Sequence, residues 1–361
     1  MGTRLRNRWG GLASPHPDPP IRIDSLPRMD VVLLFISFAV ILAGALLFTN
    51  AVEWIGHRLE LGEGAVGSLL AAVGTAMPET LIAIVALLDA EEGSEGVAIG
   101  AIVGAPFLLA TLAMGLVGLF AYLFRRRREQ GLELDAHGPT LERDLLFFLA
   151  CFALAGALAW GPPAGVRIPV GLALLAAYVL YIRRTLAGGG SVQSEETLSP
   201  LLFDRRVERR SDPALSLCVI QLLVGLGAMV GGAHLFVEHL IAIADSIGVE
   251  ALVLALILAP LATELPEKVN SFFWVREGKD SLALGNISGA MVFQSTIPVG
   301  IGLLFTEWQL SGNAALSVGL GLAGGLLAYA TLHRGRRFTL PAVITWFALY
   351  ASFIAVVALG A

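Results

Sequence analysis

Polar and apolar residues separate into long blocks along this chain. Ten apolar runs fall at about 30–56, 64–89, 96–124, 144–161, 166–183, 214–243, 248–275, 280–305, 311–332 and 338–359, with short polar connections between them. A run of about 20 apolar residues crosses a bilayer core. Inside lipid a segment has to satisfy its own backbone groups, so each run predicts a helix. The longest connection, Arg183 to Pro213, contains GGGS and RRVERR and divides the runs five and five. It is too short for a soluble domain and reads as a hinge or tether. The expected organisation is a disordered polar tail (1–28), a first five-helix unit (29–184), a linker (185–213) and a second five-helix unit (214–361). The tail carries Arg4, Arg6, Arg8 and PHPDPP, and no cleavage site follows the first run. A retained helix is expected there, not a signal peptide.

Composition agrees with the blocks. The chain has 361 residues, 56% hydrophobic and 15% charged, against about a quarter charged in soluble domains. The class is an all-α integral membrane protein. The net charge of −5 points to no nucleic-acid partner, because the charges lie in separate loops. Alternate connections collect Arg58, Arg125 to Arg128 with Arg143, the linker arginines, Arg276 with Lys279, and Arg334 with Arg337. Positive residues stay inside, so both termini are expected outside a cell membrane, although the five arginines of the tail argue the other way. Trp54, Trp160, Trp274 and Trp308 fall near run ends, as interface anchors do.

Two stretches break the apolar pattern in the same way. GTAMPET (74–80) is followed by a short acidic loop and AIGAIVGAPFLLA; ATELPEK (262–268) is followed by a loop three residues shorter and ALGNISGAMVFQS. Glu79 matches Glu267, Pro78 matches Pro266, Thr75 matches Thr263, and Gly100 and Gly104 match Gly285 and Gly289. With five helices per half, the second copy inserts upside down relative to the first. That is the inverted-repeat plan of secondary transporters, whose ion sites sit near mid-membrane on broken helices.

Each proline removes a backbone donor and frees the carbonyl four residues earlier, Gly74 or Ala262. A carboxylate at mid-membrane costs roughly 3 kcal/mol on insertion scales. A divalent cation between Glu79 and Glu267 offsets both costs, and Ca²⁺, hard and tolerant of irregular oxygen shells, suits that chemistry. The glycine pairs have GxxxG spacing, which close helix packing explains. Glu264 and Lys268 are four apart with the acid first, the favourable order for an ion pair within a helix. The sharper alternative makes Glu264 a third cation ligand and Lys268 its competitor.

At these residues the chain resembles the cation/Ca²⁺ antiporter superfamily, and within it the sodium/calcium exchanger membrane-region family. GTAMPE and ATELPE resemble its G-T-S-x-P-E element, and GAIVGA and GNISGA its G-N-x-x-G-S element. The resemblance runs from about residue 30 to 359. It implies that Glu79 and Glu267 bind Ca²⁺, that Thr75 and Thr263 belong to the site, and that the carbonyls of Ala72 and Pro260 bind the coupling ion. It also implies that the first and sixth helices slide to alternate access. The chain departs from the pattern at Ala76, Glu264, Ala105 and Ala290, where the family has serine. It departs again at Leu109 and Gln294, where Asn or Asp is common. These losses weaken Na⁺ coupling more than Ca²⁺ binding, and H⁺ becomes the natural alternative.

The expectation is an antiporter that moves Ca²⁺, or another divalent cation, against Na⁺ or H⁺, with no resident cofactor. Its candidate ligands are Glu79, Glu267, Thr75, Thr263, Ala72, Pro260, Glu264 and Gln294. Helices 2 and 7 are expected to break at their prolines. No nucleotide loop, nucleophile with a base or zinc spacing is present in the sequence, so an enzyme is not expected. The rivals are a family member that binds a cation as sensor or scaffold, and a passive cation channel.

Overall fold

The computed structural model describes residues 27–58, 63–89, 91–129, 131–133, 138–187, 199–204, 213–335 and 337–359, with the backbone alone for 63–75, 138–139, 186–187 and 265–267. The expected tail lies almost wholly outside the described residues. Among them are twelve α-helices and no strand. The first half holds α1 (Arg28–Arg58), α2 (Glu63–Leu88), α3 (Ser94–Leu108), α4 (Met114–Phe124), α5 (Gly138–Ala157) and α6 (Ala164–Ala187). The second holds α7 (Leu215–Ile247), α8 (Ala251–Arg276), α9 (Asp280–Gln294), α10 (Ile297–Phe305), α11 (Gly312–Gly335) and α12 (Leu340–Ala358). A five-residue π turn, Leu109–Ala113, joins α3 to α4.

Among the described residues seven spans are long and apolar enough to cross a membrane: α1, α3 with α4, α6, α7, α9 with α10, α11 and α12. α2 and α8 are 26 residues each. α5 carries a charged cluster, Glu142, Arg143 and Asp144, near its start.

Burial sorts the spans into layers. The α9–α10 span is 78% buried and the α3–α4 span 61%, so these two form the centre. The α6 and α12 spans, at 17% and 22%, lie at the rim, and α1 and α7 flank the bundle at 28% each. The 33 residues of α7 reach about 50 Å at 1.5 Å each, well beyond a hydrocarbon core of about 30 Å.

Lipid supplies no hydrophobic drive between helices, so close fit has to hold them. Small residues make that fit at two crossings. Where α1 lies along α7, a β-carbon on Gly44 would stand 2.8 Å from the Gly225 carbonyl oxygen. Where α3 crosses α8, a β-carbon on Gly100 or Gly104 would overlap the carbonyl oxygens of Leu252 or Leu256. Leu256 is four residues before Pro260, which has no N–H to bond it. Gly104 thus packs on a carbonyl that lacks its usual donor four residues on.

The expected breaks at Pro78 and Pro266 are not interruptions, because α2 and α8 run continuously through both prolines. The rods that break are the next ones. The α3–α4 rod passes into a π turn at Leu109, three residues after Pro106, and α9 ends at Gln294, with α10 restarting at Ile297 beside Pro298. The loss of one donor in α2 and of two in α8, at Pro260 and Pro266, is absorbed without ending the helix.

Two expectations about surface residues are corrected. Trp308 is fully buried, and its indole Nε1–H donates to the Ala155 carbonyl (3.0 Å), so it is a core residue and not an interface anchor. Arg128, last of the RRRR run, is buried in an ion pair with Asp280 and ties the end of α4 to the start of α9. Between Ala187 and Pro213 the linker is described only at 199–204, and there it is docked. Asn50 Nδ2 donates to the Pro200 carbonyl (3.3 Å), Trp54 Nε1 to that of Ser199 (2.9 Å), and the Phe203 N–H to Gln221 Oε1 (2.8 Å).

Replacing Gly104 by Val forces the α3–α8 crossing apart, an overpacking cost of about 1–3 kcal/mol. Thermal melting of the purified protein in detergent is expected to fall accordingly. Gly227→Val, with no described atom within 4 Å of its added carbon, is expected to stay within about 0.5 kcal/mol. An equal loss in both variants would contradict the close crossing.

Candidate functional site

Four helices carry the two matched elements, and they pack on one another: α2 on α3, α8 and α9, and α8 on α3 and α9. Glu79 follows Pro78 inside α2 and is 1% exposed. Its neighbours Ala76, Thr80 and Ile82 are buried too, so the acid stands in an apolar wall. Thr80 turns its hydroxyl back along the helix to the Ala76 carbonyl (2.8 Å).

In α8, Thr263 is buried and its hydroxyl donates to the carbonyls of Ala259 (2.9 Å) and Pro260 (3.5 Å). The donor is used, and the oxygen keeps lone pairs for a cation. Glu264 is 1% exposed and Lys268 3% exposed, and Oε2 of the acid lies 3.1 Å from Nζ of the lysine. The ion pair expected from their spacing is therefore formed. The side chains of Thr75, Ala72 and Glu267 lie outside the described residues; all three positions are helical.

Gln294 ends α9 and is fully buried, and among the described residues neither its amide oxygen nor its nitrogen has a hydrogen-bond partner. Leaving a buried amide unsatisfied costs about 1–3 kcal/mol. Its matched position, Leu109, opens the π turn, a distortion that frequently marks functional sites. Both helices therefore depart from regular geometry at the same point of the matched elements.

Sequence reasoning passed over one buried acid. Asp144 of α5 is 4% exposed. Its Oδ2 accepts from the Ser288 hydroxyl (3.2 Å), inside GNISGA, and its Oδ1 from Arg143 (3.0 Å). The available signal was an acid at the very start of the run 144–161. Among the described residues no group of three His, Cys, Asp or Glu side chains gathers as a metal cluster.

An all-helical membrane bundle that holds acids, an amide and an ion pair out of water at the packing of four helices has the build of a membrane transport protein. Residues 29–186 and 217–359 match the sequence profile of the sodium/calcium exchanger protein family, and the chain belongs to that family. It is an exchanger family, not an enzyme family. The chain is similar to inner membrane protein YrbG of Escherichia coli (strain K12), at 23% identity over 245 residues, 68% of this chain and 70% of that one. Its fold is similar to the crystal structure of the H⁺/Ca²⁺ exchanger CAX, with a TM-score of 0.69 and 19% identity over 91% of this chain and 81% of that one. It is similar also to the sodium-calcium exchanger NCX_Mj, with a TM-score of 0.57 and 20% identity over 91% and 98% of the two chains.

If Gln294 is an unsatisfied amide, Gln294→Leu removes the penalty at nearly constant volume. Melting in detergent without divalent cation is expected to rise by the equivalent of about 1–3 kcal/mol. A fall of that size would mean that the amide has partners.

Proposed function

We propose that the chain is a secondary antiporter that moves Ca²⁺, or another divalent cation, across the membrane in exchange for Na⁺ or H⁺. Glu79 and Glu267 hold the cargo at mid-membrane and alternate their access to the two sides. The observation that carries this reading is Glu79, a carboxylate 1% exposed within GTAMPET, in a chain of an exchanger family. Such a group is tolerated in an apolar bundle when a cation or a proton compensates it.

The bundle is read as ten crossings, the seven long spans with α2, α5 and α8, in two inverted five-helix halves. The pairing of neighbours supports this. α3 packs on α8 as α9 packs on α2; α5 packs on α9 as α11 packs on α3; α4 packs on α12 as α10 packs on α6. α1 and α7 meet each other across the two halves and slide against the core as a pair. Thr75, Thr263, Gln294 and the carbonyls of Ala72 and Pro260 complete the oxygen shell. Glu264, held by Lys268, serves the site through its charge and not as a ligand. Ala76, Ala105, Ala290 and Leu109 offer no oxygen, which favours H⁺ over Na⁺ as the counter-ion. The protein lies in the cell membrane with both termini outside, in keeping with its arginine-rich alternate loops.

Reconstituted into vesicles, the protein is expected to take up Ca²⁺ when a Na⁺ or H⁺ gradient is imposed and to stop when the gradient is dissipated. Glu79→Gln and Glu267→Gln are each expected to cut the rate by at least about 100-fold, beyond the typical loss of an outer-shell partner. Unchanged flux in both variants would remove the site assignment. Binding of Ca²⁺ without flux would favour a cation-binding sensor, a reading that the missing oxygens support. Flux without any counter-ion gradient would favour a channel.

A further inference from the structure

Tyr178 brings a phenol to the junction of the two matched elements. Among the described residues four buried side chains, Ala76, Tyr178, Val292 and Phe293, form an apolar cluster apart from the main core. Ala76 belongs to GTAMPET on α2, and Val292 and Phe293 to ALGNISGAMVFQS on α9. Tyr178 alone comes from outside those elements. It belongs to α6, and it is buried although that helix lies at the rim. Its ring meets the Phe293 ring edge to face, with centroids 5.3 Å apart. α6 packs on α2 as well.

A phenylalanine would keep these aromatic contacts. Tyrosine adds a hydroxyl, and a buried tyrosine hydroxyl usually finds a hydrogen-bond partner. That of Tyr178 is buried and has none among the described residues. Tyr181, one turn further along α6, shows the ordinary outcome, with its hydroxyl hydrogen-bonded to Asp144. Taking an unbonded hydroxyl out of water is costly, so packing does not explain the oxygen at 178. The residue after Phe293 is Gln294, whose amide is buried and also lacks a partner among the described residues. The side chain packed against Phe293 and the one that follows it in sequence thus both carry unsatisfied polar atoms. On the α2 side, Ala76 has no side-chain oxygen. Ala76, Glu79 and Thr80 are spaced three and four apart, on one face of the helix. Tyr178 therefore packs on the face of α2 that carries the buried acid.

We propose that the Tyr178 hydroxyl is an oxygen ligand of the transported divalent cation, supplied by α6 to a shell otherwise drawn from α2, α8 and α9. The proposal rests on the reading above, in which the two matched elements hold the cargo. Ca²⁺ accepts about six to eight oxygens, neutral ones among them, in irregular geometry. A phenol oxygen offers lone pairs while it keeps its proton, and that proton can turn toward another oxygen of the loaded site. The hydroxyl brings no charge, so it strengthens cation binding without altering the charge that the cation must compensate. It also gives the α2 side an oxygen that Ala76 lacks.

Tyr178→Phe tests this, because it removes one oxygen atom and keeps the ring. The full chain is melted in detergent with and without Ca²⁺, and in vesicles it is assayed for gradient-driven Ca²⁺ uptake. Without Ca²⁺ the variant is expected to melt no lower than the wild type. The Ca²⁺ concentration needed for a given rise in melting temperature, and that giving half-maximal uptake, are each expected to increase by about tenfold, the equivalent of ~1.4 kcal/mol. An unchanged Ca²⁺ dependence in both assays overturns the proposal. A variant that melts lower without Ca²⁺ also overturns it, because the hydroxyl would then have a protein partner. So does a lower maximal rate at unchanged half-saturation, the mark of a packing role. Failure of the antiporter reading looks different: wild-type vesicles then show no gradient-driven uptake, or uptake survives Glu79→Gln, while the melting curves still decide whether Tyr178 binds Ca²⁺.

Discussion

A carboxylate in the interior of an apolar bundle has to be compensated, and Glu79 sets that requirement for the whole molecule. Its burial between α2 and its neighbours gives meaning to the oxygen-bearing positions around the four central helices. Water cannot supply the compensation there, and every lone pair facing the site becomes costly unless something binds it. Among the described residues the buried amide of Gln294 has no hydrogen-bond partner, which adds a demand of its own. The antiporter proposed above rests on both, because a cation or a proton would meet that demand.

Holding such a site in register takes close packing of the helices that carry it. α3 approaches α8 so nearly that Gly104 leaves no room for a side chain against Leu256. Pro260 takes part in two ways. It leaves the Leu256 carbonyl without its helical donor, beside Gly104, and its own carbonyl receives the Thr263 hydroxyl at 3.5 Å. One turn of α8 therefore serves both the interhelical crossing and the candidate site. The central rods yield instead at Leu109 and after Gln294, where a π turn and a helix restart interrupt the regular ladder.

Buried charge outside the site is used as mechanical linkage. Arg128 and Asp280 are pinned together in the protein interior, and Asp144 reaches the GNISGA element through Ser288. Both contacts end on α9, the most enclosed span together with α10. The polar strip of Asn50, Trp54 and Gln221 similarly fastens residues 199–204 to α1 and α7. The connection between the halves is thus coupled directly to the flanking helices proposed to slide.

The apolar blocks alone determined that the chain is a bundle of membrane helices, because lipid allows an isolated segment no other way to satisfy its backbone. Local spacing also determined the Glu264–Lys268 pair, since residues four apart meet within one helix whatever surrounds it. The paired GTAMPET and ATELPEK elements pointed to the family before any coordinates. Tertiary structure decided what depends on partners distant in the chain. Arg128 is one of four loop arginines until Asp280 arrives from 152 residues away, and Asp144 is one acid among many until Ser288 meets it across 144. Trp308 resembles an interface residue until Ala155 accepts its indole N–H. The break points could not be read from proline alone, because a helix packed on both sides can lose one donor at Pro78 or Pro266 and continue. The rods of the centre give way elsewhere, where packing and the next turn decide it.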